Sequence, residues 1–175
     1  MLIIQDAKIE DIPDIREIGK RSLWDTFRDI MSDSLIRTAL SQWWSRSYLE
    51  MTILSTNHIT LVAKLDEQIV GYIECEVLEK AKAHALGLGE AESYQAVLWK
   101  VFVLLSNRGK GIGTSLINRV IQMLPDNIKN LFVEYVQENE RARKFYESNG
   151  FLIHHIERPE TADGVTHVWM SRQLR

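Results

Sequence analysis

Short apolar runs alternate along the chain with stretches in which apolar residues recur every three or four positions. The runs predict strands, and they cover residues 2–4, 59–64, 69–78, 94–105, 131–136, 151–156 and 165–170. The stretches with helical spacing begin at residues 11, 33, 114 and 139. Together they predict a mixed, mostly antiparallel sheet with helices on both faces, an α/β chain of the α+β type.

Helix caps and turns are expected at particular residues of this pattern. Asp11 is expected to cap the first helix, with Pro13 in its first turn, where the missing N–H has no partner in the helix anyway. A second helical stretch covers residues 33–53. Residues 66–68 are expected to turn a hairpin between two strands. Asn139 is expected to cap a short helix near the end of the chain.

The segment over residues 94–136 has the order strand, helix, strand. Such an order requires a parallel pair joined by a right-handed crossover, so this segment predicts the parallel centre of the sheet. The preceding residues 81–93 are an insert that is either helix-prone or loop-like. No repeat or Pro/Gly-rich linker divides the chain, and we expect residues 1–175 to form a single domain.

Composition excludes several classes of partner. The 175 residues carry a net charge of −3 and are 45% hydrophobic, which is ordinary for a globular protein and lacks the basic excess of a nucleic-acid binder. No apolar run approaches the ~18 residues of a membrane helix, so a soluble, cytoplasmic protein without a membrane partner is expected. The single cysteine, Cys75, is either a nucleophile or acetyl carrier, or a small buried strand residue, and burial is favoured.

A loop of glycine and basic residues follows the central strand and opens the next helix. Its sequence is Arg108-Gly109-Lys110-Gly111-Ile112-Gly113. Backbone N–H groups at a helix start have no partner within the helix, and the helix dipole adds positive potential there. Gly111 and Gly113 keep side chains away from a bound phosphate, and Arg108 and Lys110 add charge. The loop therefore predicts a pyrophosphate site.

Two other phosphate-loop patterns fail at this loop. A P-loop ending at Lys110 would need glycine in place of Leu104 and serine or threonine in place of Gly111. A dinucleotide fingerprint would need glycine in place of Thr114 or Leu116. Neither type of nucleotide site is indicated.

The remaining pattern resembles the acetyl-CoA loop of the GNAT superfamily of N-acetyltransferases. The loop pattern Q/R-x-x-G-x-G/A is matched by Arg108, Gly111 and Gly113. Residues 139–151, NERARKFYESNGF, resemble the second signature N-x-x-A-x-x-F-Y-x-x-x-G-F. The resemblance covers nearly the whole chain, although it is specific only over residues 101–151.

This resemblance implies the GNAT fold, a twisted sheet of about seven strands around a central parallel unit. It also implies that the pantetheine arm of acetyl-CoA inserts where two parallel strands splay apart and pairs with Val101 and Val103 as a further strand would. The Val103 N–H would face the thioester carbonyl. The residues implied to bind acetyl-CoA are Val101, Phe102, Val103, Arg108, Gly109, Lys110, Gly111, Ile112, Gly113, Thr114, Asn139 and Phe145.

Acetyl transfer to an amine sets further demands on the side chains. A free alkylamine has a pKa of about 10.4, so the site needs a base or desolvation. The leaving thiolate needs a proton, and the resemblance implies Tyr146 as the acid, unless Tyr146 is a core tyrosine. The strand before the loop offers no carboxylate. Glu74 or Glu76 on the neighbouring strand is therefore the candidate base, unless both lie on a solvated face of the sheet.

The acceptor is expected to be a primary amine. Aromatic residues and carboxylates over residues 16–53 would suit an alkylammonium ion, unless they are core aromatics and solvated charges. They are Trp24, Trp43, Trp44, Tyr48, Asp25, Asp29 and Asp33. A polyamine or other small cationic amine is therefore ranked above a protein N-terminus or lysine.

Other functions and partners are left open or excluded. A non-catalytic acyl-CoA sensor would keep the loop and lack turnover. His154 and His155 are adjacent on a predicted strand, which would send them to opposite faces, and no metal is expected. The sequence leaves a homodimer open.

Overall fold

Strands and helices follow one another much as the sequence pattern predicts. The computed structural model describes residues 1–88, 94–157 and 165–174. The strands are β1 (Leu2–Asp6), β2 (His58–Leu65), β3 (Gln68–Leu78), β4 (Gln95–Val103), β5 (Asn130–Val136), β6 (Leu152–Glu157) and β7 (His167–Gln173). The helices are α1 (Ile12–Phe27), α2 (Asp33–Trp43), α3 (Arg46–Leu54), α4 (Lys80–Ala85), α5 (Ile112–Met123) and α6 (Glu140–Ser148). None of these helices is both long and apolar enough to cross a membrane.

The strands form one seven-stranded sheet in the order β1-β2-β3-β4-β5-β7-β6. β1 runs antiparallel to β2, and β7 runs antiparallel to both β5 and β6. β4 and β5 are parallel, with Gln95 opposite Asn130 and Leu98 opposite Val133, and α5 lies between them in the chain. The predicted fold class, a mostly antiparallel sheet around a parallel strand–helix–strand unit, is confirmed.

The hairpin between β2 and β3 has the turn that the sequence predicts. Asp66 and Glu67 both have left-handed φ angles, 47° and 68°. Two consecutive left-handed residues are what a type I′ hairpin turn requires. Asp66 also accepts a hydrogen bond from the N-terminal ammonium at 2.6 Å, which ties the start of β1 to the turn.

Packing divides the chain into two compact units. One unit consists of Met1–Cys75 and Lys100–Met123, and the other of Glu76–Trp99 and Leu124–Arg175. The core of the first unit is formed by Ala7, Ile12, Ile15, Leu23, Ile36, Trp44, Leu49, Val62 and Tyr72. The core of the second unit is formed by Leu78, Ala83, Leu88, Val97, Phe132 and Trp169. That residues 1–175 act as a single domain stays a prediction.

Trp44 has its place in the first core because α1 carries a glycine beneath it. A Cβ atom on Gly19 would lie 2.1 Å from the Trp44 Cε3 atom, closer than any packed pair of carbon atoms. Trp44 is 3% exposed, and its ring lies 5.8 Å from the Tyr72 ring and 5.2 Å from the Phe102 ring. The missing side chain at Gly19 therefore lets a tryptophan fill the space between α1 and the sheet.

The predicted helix over residues 33–53 is wrong as a single element. Two helices, α2 and α3, occupy this stretch, and Ser45 lies between them. The Ser45 Oγ accepts a hydrogen bond from the Tyr48 N–H at 3.2 Å, which makes Ser45 the N-cap of α3. Serine at a cap competes with helix continuation, which the apolar periodicity does not register.

The two predicted caps behave differently. Asn139 caps α6 as expected, because its Oδ1 accepts the Ala142 N–H at 3.1 Å. Asp11 precedes α1 but forms no side-chain capping bond to it. Its carboxylate instead accepts the Lys8 N–H at 3.0 Å, at the start of a short 3₁₀ turn. Pro13 lies in the first turn of α1 as expected.

The insert over residues 81–93 is helical in its first part. α4 ends at Ala85, and Gly87 follows with a left-handed φ of 66°. Ala83 and Leu88 are fully buried in the core of the second unit. Residues 89–93 lie outside the described residues.

Candidate active site

The loop between β4 and α5 has the backbone geometry that its glycines predict. Gly109 and Gly111 have φ angles of 77° and 75°, in the left-handed region that favours glycine. The Ser115 N–H donates to the Gly111 carbonyl at 2.9 Å, so hydrogen bonding within α5 begins there. N–H groups ahead of Ser115 have no acceptor within the helix. Since Gly109 and Gly111 are exposed, these donors lie at the surface, where an anionic group can reach them.

Arg108 braces this loop. Its Nε donates to the Val103 carbonyl at 2.9 Å, and its Nη2 lies 3.4 Å from the Thr26 hydroxyl on α1. Part of the guanidinium that the sequence assigns to phosphate binding therefore holds the loop against the end of β4. Lys110 is exposed and adds positive charge at the helix start.

The strand segment before the loop is half-buried. Val101, Phe102 and Val103 each keep some exposure. The Phe102 side chain packs against the first core, with its ring 5.2 Å from Trp44. The Leu104 N–H donates to the Val70 carbonyl at 2.9 Å, which fixes the end of β4 beside β3.

Glu74, the predicted base, lies at the centre of a buried polar cluster. Its side chain is 0% exposed. Its Oε1 accepts the Tyr48 hydroxyl at 2.6 Å, and its Oε2 accepts the Lys100 ammonium at 2.6 Å and the Tyr72 hydroxyl at 3.2 Å. A buried carboxylate needs such partners to offset its lost hydration. The alternative of a solvated sheet face is therefore wrong for Glu74.

Two aromatic rings complete the surroundings of Lys100. Its ammonium lies 4.1 Å from the centroid of the Tyr48 ring and 5.3 Å from that of Trp44. Desolvation lowers the pKa of Lys100, and Glu74 opposes that shift. Burial, aided by the Glu74 charge, raises the pKa of Tyr72 well above its usual value. We call Glu74, Tyr48, Tyr72 and Trp44 the Lys100 cage.

Glu76, the other candidate base, is engaged in the second unit. Its Oε2 accepts the Trp99 indole N–H at 2.8 Å, and both of its oxygens lie 2.7 Å from the Lys82 ammonium. These contacts clamp α4 against the end of β3. Both carboxylates that the sequence nominated are thus held by cations of the chain itself.

Tyr146 lies on α6 among other aromatic residues of the second unit. Its ring centroid lies 5.2 Å from Phe145, 5.7 Å from Phe151 and 6.3 Å from Tyr135. Burial raises the pKa of Tyr146 far above its usual value. The phenol therefore keeps its proton throughout the neutral pH range, as a general acid must.

Three of the four aromatic residues expected to receive a cationic acceptor already face cations of the chain. The Arg37 guanidinium lies over the Trp24 ring at 5.5 Å, and Lys100 lies over Tyr48. Trp43 is 51% exposed and meets the Tyr48 ring edge-on. Trp44 is part of the core. Among these rings, Trp43 is the one that presents a large exposed area.

The aspartates of the same region are exposed helix and loop charges. Asp25, Asp29 and Asp33 are all exposed. Asp29 lies 3.8 Å from the neighbouring Arg28, with 90% of its side chain accessible. These positions match the alternative of solvated charges better than an acidic cleft lining.

A model of the acetyltransferase (GNAT) family matches residues 22–151, about three quarters of the chain. The chain belongs to this family. The matched segment contains the glycine loop, the Lys100 cage and Tyr146, and it confirms the resemblance drawn from the sequence. GNAT enzymes take their acetyl group from acetyl-CoA, so this chain is an acetyltransferase with acetyl-CoA as co-substrate.

Solved GNAT structures have the same fold as this acetyltransferase. The PaiA N-acetyltransferase of Thermoplasma acidophilum, solved in complex with coenzyme A, is similar with a TM-score of 0.81 and 19% identity over 99% of each chain. The ribosomal-protein-S18-alanine N-acetyltransferase of Escherichia coli has a TM-score of 0.69 and 18% identity over 99% of this chain and 94% of its own. NAA60 of Arabidopsis thaliana, solved in complex with a bisubstrate analogue, has a TM-score of 0.75 and 12% identity over 99% of this chain and 98% of its own.

The histidine pair of this GNAT chain lies differently from expectation. The rings of His154 and His155 lie 5.1 Å apart, so the expectation that they point to opposite faces is wrong. The cause is a register shift between Ile153 and His155 in the pairing of β6 with β7. In residues 1–88, 94–157 and 165–174, no group of three or more His, Cys, Asp or Glu could hold a metal ion. The absence of a metal stays a prediction.

Sequence reasoning missed Lys100 as a feature of the site. The signal was present, because Lys100 is the one charged residue among residues 95–103, a strand that is otherwise apolar apart from Gln95. A lysine inside such a strand needs a buried anion, and Glu74 on the neighbouring strand supplies it. Cys75 is buried in β3, as the favoured interpretation expected.

Proposed function

We propose that this GNAT chain transfers an acetyl group from acetyl-CoA to a primary amine by direct attack of the amine on the thioester. The observation that carries the proposal is the loop with left-handed Gly109 and Gly111 at the start of α5. Within an acetyltransferase, exposed backbone donors at this loop suit the pyrophosphate of coenzyme A.

The loop and the end of β4 would share the binding of acetyl-CoA. N–H groups of residues 109–114 would bind the pyrophosphate, with Lys110 adding charge. Arg108 would act mainly by holding the loop, because its Nε is bound to the Val103 carbonyl. Backbone groups of Val101 and Val103 would pair with the pantetheine arm, and the Val103 N–H would stabilise the oxyanion. Phe102, Asn139 and Phe145 are proposed as lesser contacts.

Tyr146 is proposed as the general acid. The amine nitrogen forms a bond to the thioester carbon, and the carbon–sulfur bond breaks. The Tyr146 hydroxyl gives its proton to the departing thiolate. The nitrogen, positively charged once its bond to the carbonyl carbon has formed, loses a proton to solvent, and Tyr146 regains a proton from solvent. A thiol has a pKa of about 8.5, and burial raises the pKa of Tyr146 well above that value. Transfer of the phenol proton to the thiolate is therefore uphill in free energy, and re-protonation of Tyr146 from solvent completes it.

The source of a neutral amine is proposed to be solvent rather than Glu74. The Glu74 carboxylate accepts three hydrogen bonds, one of them from the Lys100 ammonium. Glu74 would have to give up one of these partners before it could approach the amine. The amine would lose its proton to water before attack. Glu74 as a general base stays an untested prediction, as does Glu76.

The proposal also covers the class of acceptor, the cell compartment and the oligomeric state. The acceptor is proposed to belong to one of two classes, a small cationic amine or a peptide N-terminus or lysine. A cytoplasmic location and a homodimer stay predictions. A non-catalytic acyl-CoA sensor is the competing function, and the contacts of Glu74 and Glu76 with cations of the chain are consistent with it.

Release of coenzyme A with a panel of amines tests the proposal. Purified protein is mixed with acetyl-CoA and, separately, with monoamines, spermidine and short peptides, and free thiol is measured alongside the acetylated product. We expect thiol release that depends on the amine. Thermal shifts with acetyl-CoA and with ATP run in parallel. A shift with acetyl-CoA and no release with any amine would favour the sensor, and a larger shift with ATP would contradict both.

A further inference from the structure

The Lys100 cage is built like a receptor for an alkylammonium ion. A carboxylate oxygen of Glu74 lies 2.6 Å from the ammonium. The Tyr48 and Trp44 rings lie at 4.1 Å and 5.3 Å, within the range of cation–π attraction. The chain fills this receptor with its own lysine, whose side chain is 6% exposed.

The cage lies next to the strand segment that the proposed function gives to acetyl-CoA. Lys100 directly precedes Val101, and Phe102 packs on the same tryptophan that faces the ammonium. An acceptor with two amines on a short methylene chain could place one nitrogen at the thioester. Lys100 lies three residues before Val103 on β4, roughly 10 Å along the strand, so the second ammonium of such an acceptor would extend toward Lys100.

We propose that Lys100 determines acceptor specificity. Its ammonium occupies the cage in which the second ammonium of a polyamine would bind, so the enzyme prefers acceptors with a single amine. The claim rests on the proposed function and reverses the ranking that the sequence suggested. It identifies the preferred acceptor as a monoamine, which includes a peptide with one free amine.

Charge and hydrogen bonding both support this exclusion. Glu74 already binds one ammonium and two hydroxyls, so a second ammonium would find no unshared carboxylate there. Two ammonium ions close together in a poorly hydrated site repel each other strongly. Lys100 cannot move aside at low cost, because doing so would leave Glu74 buried without its counter-ion.

Chemical rescue tests the cage itself. Lys100→Ala removes the ammonium and most of the stem, and propylammonium should then enter and raise the melting temperature. Lys100→Met fills the same space without charge and serves as the matched control. We expect a shift in Lys100→Ala at millimolar propylammonium, with none in Lys100→Met or in wild type, and none with 1-propanol. Equal shifts in all three proteins, or equal shifts with 1-propanol, would overturn the cage as an ammonium site.

The ratio of kcat/KM for two acceptors tests specificity. Lys100→Gln removes the charge and keeps most of the stem, and Lys100→Arg keeps the charge. The ratio of kcat/KM for spermidine to kcat/KM for propylamine should rise about tenfold in Lys100→Gln and stay near the wild-type value in Lys100→Arg. A general fold defect would lower kcat/KM for spermidine and for propylamine by the same factor, so it could not produce the expected rise in the ratio. An unchanged ratio in a Lys100→Gln protein that turns over would overturn the proposal.

The two measurements separate this inference from the proposed function. Rescue by propylammonium needs no turnover, so it tests the cage even in a protein that transfers no acetyl group. Thiol release at the same rate with and without an amine would overturn the proposed function and the specificity claim together. Thiol release with spermidine above every monoamine in the wild type would overturn the specificity claim alone.

Discussion

The Lys100 ammonium lies 2.6 Å from the Glu74 Oε2, and the two side chains are 6% and 0% exposed. They come from β4 and β3, the strands that carry the segment before the glycine loop and the candidate base. A buried ion pair of this kind adds little net stability over an apolar pair, but either charge alone is costly. The pair therefore constrains the positions of both side chains.

Removing one member of this pair should destabilise the protein strongly. Glu74→Gln leaves the Lys100 ammonium buried beside a neutral amide, at a cost of about 3–5 kcal/mol in the free energy of unfolding. Urea denaturation measures this cost. Glu50→Gln is the matched control, since Arg46 and Glu50 form a surface pair with 2.7 Å between their atoms, and its loss should cost less than about 1 kcal/mol. Equal costs would show that Lys100 and Glu74 are not desolvated.

The elements around this pair could be predicted from the sequence, but the pair could not. Alternation in β3 predicts one polar face that includes Glu74. Whether that face meets water or another element depends on where α3 lies, and α3 begins only because Ser45 interrupts the helical pattern. Tyr48 is brought to Glu74 by that interruption. Local periodicity contains no information on such a contact between distant segments.

Gly111 should be required for acetyl-CoA binding, and Gly87 should not. Both have left-handed φ angles, 75° and 66°, and a Cβ at either would meet nothing within 4 Å. Gly111→Ala and Gly87→Ala therefore carry similar backbone strain, of order 1 kcal/mol. Only Gly111→Ala places a methyl group and an altered backbone at the proposed pyrophosphate site. The thermal shift with acetyl-CoA should be lost in Gly111→Ala and kept in Gly87→Ala; equal shifts would remove the loop from the cofactor site.

Tyr146→Phe should lower kcat by about 10²-fold, within the range for loss of a general acid. The KM for acetyl-CoA should change little, because the ring and its aromatic neighbours remain. Steady-state kinetics over a range of acetyl-CoA concentrations gives both constants. A variant with the kcat of the wild type would mean that water protonates the thiolate and that Tyr146 is a core residue.

Alkaline stability should report the same buried phenol. Burial raises the pKa of Tyr146 and of Tyr72, so the folded protein holds protons that the unfolded chain loses above pH ~10. Their contribution to stability is fully present below that pH and is lost as the pH rises further. Lys100 acts in the opposite direction. Because its pKa is lowered in the folded protein, its contribution to stability increases as the pH rises toward ~10.5, the ordinary pKa of lysine.

Urea denaturation between pH 10 and pH 11 would measure this alkaline loss. Tyr146→Phe should lose up to about 1.4 kcal/mol less per pH unit than the wild type over this range. Tyr94→Phe, which removes a residue that is 42% exposed, is the control and should follow the wild type. Parallel curves for all three proteins would contradict the burial of the Tyr146 hydroxyl.

The acceptor was harder to predict than the cofactor loop for a physical reason. Phosphate recognition by a helix start uses backbone groups at fixed spacing, so three residues of a motif are enough to indicate it. Amine recognition uses side chains from several elements. Trp24 and Tyr48 have the composition of a cation site, but Arg37 and Lys100 already lie over their rings. Composition alone does not distinguish a site for a ligand from one that the chain fills itself.

Single-turnover mass balance tests acetyl transfer to an amine at the glycine loop. Protein in excess over acetyl-CoA is mixed with propylamine, and coenzyme A thiol and N-acetylpropylamine are measured over time in wild type, Gly111→Ala and Gly87→Ala. We expect equal amounts of thiol and acetylated amine, formed at the same rate in wild type and Gly87→Ala, with both slowed strongly in Gly111→Ala. Thiol without acetylated amine, or equal rates in all three proteins, would contradict acetyl transfer to an amine at this site.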